Sequence, residues 1–164
     1  MFVDLTFDPL RFTSLKQEHT GSCLAGDLPG LAAYLHSKQG VVDYTVKGFV
    51  NENNMPVIEV TVSAKLDLIC QRCLAGLQSN VSSKTRLILV KDEKNLPEVE
   101  DEIEGEDVIV TPQTMSLMQL IEEEILLALP ITSVHDSEQC HRSDLNLDSA
   151  NKANPFQVLK NLKS

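Results

Sequence analysis

The sequence predicts an α+β domain: an antiparallel β-meander, a long helix from the C-terminal half packed on one face, and short N-terminal helices. Three observations carry that expectation. Apolar and polar residues alternate through three runs between Val41 and Val90, the period of strands with one buried face. Short connections join those runs, as antiparallel neighbours require. From Leu117 to Ala128 the apolar spacing changes to that of an amphipathic helix.

Taken in order, Asp8-Pro9-Leu10-Arg11-Phe12 reads as a short helix, with Asp8 as N-cap and Pro9 in the first turn. Asp27 to Gly40 reads as a second. Val42, Tyr44, Val46 and Val50 then alternate with Asp43, Thr45 and Lys47, and Asn51-Glu52-Asn53-Asn54 makes a turn. Between Val57 and Cys70 the alternation is longest: Val60, Val62, Ala64, Leu66, Leu68 and Cys70 share one face. A third strand is expected from Gln78 to Val90, and an edge strand at Val108-Ile109-Val110. Thr111-Pro112 gives a helix-start signal, Leu117, Met118, Ile121, Ile125 and Ala128 line one helix face, and Pro130 ends it. Residues 1–134 are thus expected to form one domain, with an acidic mobile loop at about 92–107. Residues 135–164 read as a polar tail, in which Phe156, Leu159 and Leu162 form the apolar edge of a short helix.

A chain of 164 residues with 42% apolar content suits a single packed core. With no Trp and 4% aromatics, that core must be built from Leu, Ile and Val. The most apolar window, Leu117 to Leu129, is short and interrupted by Glu122, Glu123 and Glu124, so no membrane span is expected. The first residues lack the pattern of a secretory leader. A cytoplasmic location follows, where the four cysteines would remain thiols or metal ligands rather than form disulfides.

Net charge is −10, unevenly spread. The stretch from Lys91 to Asp107 carries −7, whereas Lys65 to Lys91 carries +4 and Ala150 to Ser164 carries +3. This predicts a basic surface offset by an acidic loop, suited to RNA or to a basic protein.

The sharpest chemical signal is Cys70-Gln71-Arg72-Cys73 at an expected hairpin tip. With His135 and Cys140 it supplies four soft donors, the number a tetrahedral zinc ion takes. Two other readings stand beside zinc: inert thiols, since Cys70 continues an apolar face, and a redox pair, for which the usual βαβ surroundings are missing. Arg72 offers a fork for a phosphate or carboxylate, with Lys84 and Arg86 expected nearby as further binding residues. Gly-rich phosphate loops and nucleophile elbows are absent, and three consecutive glutamates on a helix cannot share one site. The expectation is a binding protein without catalytic residues or a small-molecule substrate.

Four motifs occur in order: Leu68-Ile69-Cys70-Gln71-Arg72-Cys73-Leu74, then Ile121 to Pro130, then Val134 to Cys140, then Asn154-Pro155-Phe156-Gln157-Val158-Leu159. With the early Asp8-Pro9-Leu10-Arg11, this arrangement resembles the YceD family, the large ribosomal RNA subunit accumulation proteins. The resemblance implies a bacterial role in accumulation or processing of large-subunit (23S) ribosomal RNA. The partners to expect are the precursor RNA, a ribosomal protein or an RNA-processing protein. It brings no catalytic residues with it. An RNA-processing or redox protein using Cys70 and Cys73 is the alternative.

Overall fold

The computed structural model describes residues 5–95, 106–136 and 140. Most of the expected acidic loop and of the expected tail, with its short helix, lies outside the described residues. The chain runs β1 (Thr6–Phe7), α1 (Pro9–Ser14), β2 (Glu18–Leu24), two single 3₁₀ turns (Ala25–Asp27 and Pro29–Leu31), β3 (Leu35–Val50), β4 (Pro56–Ile69) and β5 (Gly76–Val90). A further 3₁₀ turn (Glu93–Asn95), β6 (Glu106–Val110), β7 (Met115–Ser116) and α2 (Leu117–Ala128) complete it.

The expected α+β architecture is not what forms. About half of the described backbone is strand, and the main sheet is mixed, with five strands in the order β2-β3-β4-β5-β6. Strands β2 to β5 pair antiparallel, but β6 lies parallel to β5, from Arg86 opposite Glu106 to Val90 opposite Val110. The chain between Lys91 and Gly105 is long enough for the crossover that a parallel pair needs. Nothing in the composition of Val108-Ile109-Val110 specifies its direction.

The expected long helix is also shorter than its signals suggested. Thr111 does not cap it; its N–H and hydroxyl both donate to the Val90 carbonyl and close the end of β6. Helix α2 begins at Leu117, after Ser116, whose hydroxyl accepts from the Gln119 N–H. Its 12 residues span about 18 Å, against strands of 14 to 16 residues. The expected second N-terminal helix is replaced by the two 3₁₀ turns, and β3 starts at Leu35. Helix α1 is present, with the Asp8 carboxylate accepting from the Leu10 and Arg11 N–H groups.

The core lies between one face of the sheet and the elements covering it. Val60, Val62, Ala64, Leu66 and Leu68 of β4 are buried, as are Val42 and Val46 of β3. Ile121 and Ile125 of α2, Phe12 of α1, Leu31 of the second 3₁₀ turn, and Leu28 between the two turns pack over them. Burial of this aliphatic surface is the main stabilising term. Among the described residues no helix is long and apolar enough to cross a membrane.

The three glutamates of α2 do point apart. Glu122 accepts from the Gly30 N–H, Glu123 from the Gln119 side chain, and Glu124 is buried and accepts from the Ser83 hydroxyl.

Candidate metal centre

Strand β4 delivers Cys70 to the end of the buried face, where its side chain is fully enclosed. The following turn is tight. Cys70 N–H donates to the Ala75 carbonyl at 2.9 Å and Leu74 N–H to the Cys70 carbonyl at 2.8 Å. Leu74 takes a left-handed φ of 63°, a conformation in which a residue with a Cβ is strained. Arg72 projects from this tip, exposed, and its guanidinium has no ion pair or hydrogen bond among the described residues.

The segment after α2 is tied to the same tip by the Gln71 N–H, which donates to the Ser133 carbonyl at 2.8 Å. That bond brings the more distant pair of candidate donors across some sixty residues of sequence. Cys70, Cys73, His135 and Cys140 then meet, with their ligand atoms all within 4.8 Å of one another. Cys70 Sγ and Cys140 Sγ are 3.9 Å apart, and Cys73 Sγ is 3.4 Å from His135 Nδ1.

Two details fit a cation. Three thiolates at about 2.3 Å from a tetrahedral zinc would sit about 3.8 Å from each other, close to the spacing of Cys70 and Cys140. His135 Nε2 lies 2.9 Å from the Gly76 carbonyl, so it carries the proton and leaves the Nδ1 lone pair facing the sulfurs. A backbone carbonyl orienting the remote ring nitrogen is the usual support of a ligating histidine.

The electrostatics agree. Burial alone would push the Cys70 thiol up, but N–H groups of Cys73, His135 and Arg72 and the Cys73 side chain bring it down to about 5. Cys140 moves the other way: burial raises it, and the neighbouring sulfurs Cys73 and Cys70 raise it further. A cluster that holds one thiolate readily and resists a second is what a divalent cation would relieve, with release of protons.

The expected binding residues are not brought together. Lys84 lies eight residues along β5 from Gly76, about 27 Å from the tip. Both it and Arg86 are engaged: Glu59 meets Lys84 Nζ at 3.4 Å and Arg86 Nε at 3.0 Å, and Arg86 Nη1 reaches Glu106 at 3.4 Å. Register shows why. Glu18, Lys47, Glu59, Arg86 and Glu106 stand opposite one another in turn, a row of alternating charge across all five strands. Reading strands singly could not find this row, nor the Ser133 and Gly76 carbonyls that support the centre. Both depend on which residues face each other.

Residues 58–163 match the family described as "Large ribosomal RNA subunit accumulation protein YceD". A protein of that name from Haemophilus influenzae (strain ATCC 51907 / DSM 11121 / KW20 / Rd) is 28% identical over 169 residues, covering 97% of this chain and 95% of its own. No solved structure matches the chain.

Proposed function

The chain belongs to the YceD family, and we propose that it promotes accumulation of large-subunit (23S) ribosomal RNA as a non-enzymatic binding factor built around a zinc-stapled tip. The observation that carries this reading is the donor set. Three sulfurs and one imidazole nitrogen gather within 4.8 Å of one another, and they would fill all four positions of a tetrahedral ion. A closed set of protein ligands is the signature of a structural site, whereas catalytic zinc keeps a position open for water or substrate. Zinc there would cross-link the β4–β5 turn to the segment after α2. Cys70, Cys73, His135 and Cys140 would hold it.

The same geometry favours binding over redox chemistry at the pair. Cys73 and Cys140 are partly exposed, but Cys70, the thiol held lowest, is fully enclosed and shielded from an exchange partner. The partner this chemistry fits best is a basic protein of the assembling large subunit. Net charge is −10, and the Lys84 and Arg86 charges are spent on Glu59 and Glu106. Arg72 favours a second reading, in which the tip also touches a phosphate of precursor RNA, because its fork is free among the described residues. Either partner would be met in the cytoplasm.

Depleting the protein from growing bacteria tests the proposal. The expected result is a fall in the ratio of large-subunit to small-subunit ribosomal RNA, restored by the wild-type chain. An unchanged ratio would overturn it.

A further inference from the structure

We propose that the groove between the 3₁₀ turn Pro29–Leu31 and helix α2 docks a basic, amphipathic segment of a partner protein. This deepens the binding reading above by naming a surface and the chemistry of what it takes.

The groove encloses about 610 Å³. Leu28, Pro29, Met118 and Leu126 form its apolar lining. Asp27, Glu122 and Glu123 rim it, and no Lys, Arg or His lines it among the described residues. An apolar floor suits an aliphatic anchor, and Met118, unbranched and polarisable, adapts to anchors of different shape. A carboxylate rim repels phosphate, so the occupant is a cationic peptide and not RNA.

On the open sheet face each strand's charge is answered by its neighbour in the row Glu18, Lys47, Glu59, Arg86, Glu106. At the groove no basic residue answers among the described residues. Glu122 is held by the Gly30 N–H and Glu123 by the neutral Gln119 amide, while Asp27 has no partner among the described residues. Helix α2 carries three glutamates and no basic residue. The protein thus neutralises one face and leaves an acidic, apolar-floored channel on the other. Lys or Arg side chains flanking a Leu or Met would complete both features.

The test is titration of the full-length protein with a synthetic amphipathic peptide of Lys, Arg and Leu, followed by backbone amide shifts. Shifts should concentrate at Asp27, Met118, Glu123 and Leu126. The double variant Asp27→Lys/Glu123→Lys should weaken binding by about tenfold or more, and the milder Asp27→Asn/Glu123→Gln by a smaller factor in the same direction. The control Asp43→Lys/Glu52→Lys makes the same net charge change away from the groove and should leave affinity within about twofold. Equal loss in groove variant and control would show general charge attraction and overturn the proposal. A single-stranded RNA occupying the groove would also overturn it, as would a peptide of residues 150–164 binding there more tightly than the synthetic one. Depletion that still lowers large-subunit RNA after such a failure would leave the functional reading standing without the groove.

Discussion

At the scale of single residues the centre depends on a few hydrogen bonds that orient its donors. Gly76 fixes the His135 ring, and backbone N–H groups around the tip hold Cys70 as the readiest thiolate. Protein purified without chelator is expected to carry about one zinc per chain by elemental analysis. Cys70→Ser or His135→Ala should lower zinc content well below one and lower the unfolding midpoint. Cys23→Ser should leave zinc unchanged, because Cys23 is buried on β2 and burial, then Asp27 and Asp43, raise its thiol to about 11. Full zinc in Cys70→Ser would remove the assignment. Glu59 makes a separate point. Partial burial would raise its carboxyl, but hydrogen bonds from Arg86 and Lys84, with their charges, take it below the usual 4.5. A carboxyl lowered on folding contributes stability above its unfolded value, and that contribution is lost as pH falls through the folded value. Glu59→Gln is therefore expected to cost about 1 kcal/mol near neutral pH and little under strongly acidic conditions, measured by denaturant unfolding. The cost is small because Lys84 and Arg86 remain about half exposed and solvent screens their charges.

At the scale of elements the turn between β4 and β5 stores strain beside the candidate metal centre. Leu74 is left-handed and 71% exposed, so its side chain gains little from burial. Leu74→Gly should stabilise the protein by about 1 kcal/mol with zinc content unchanged, read from unfolding curves and elemental analysis. A loss of stability would mean that the side chain packs more than its exposure implies. The elements also show what sequence can and cannot reveal. The face Val60, Val62, Ala64, Leu66, Leu68, Cys70 was legible because burial of one sheet face enforces a two-residue period. The direction of β6 was not, since parallel and antiparallel edges draw on the same β-branched residues. The start of α2 was misplaced because Thr111-Pro112 satisfies the rules for a helix start while its hydrogen bonds go to Val90. For Asp27 to Gly40 the helix-like composition was overridden by pairing of Leu35 and its successors with β4.

At the scale of the whole molecule, the candidate donors could be read as residue types but not as neighbours. Spacing alone links Cys70 to Cys73; the link to His135 and Cys140 requires α2 to cross the sheet and return its chain to the tip. The same limit explains why Lys84 and Arg86 seemed close to Arg72, when β5 carries them away into a neutralised row. What emerges is a mostly β scaffold with four soft donors gathered at one tip, a balanced sheet face and an acidic flank. On the function proposed above, such a molecule would act by occupying a surface on its target. Sedimentation of gently lysed growing cells through a low-salt gradient tests this most directly, with the protein followed by immunoblot. The protein should migrate with large-subunit precursor particles, at a stoichiometry of about one chain or fewer per particle. Confinement to the light fractions, with none on precursors even after crosslinking in the cell, would contradict it.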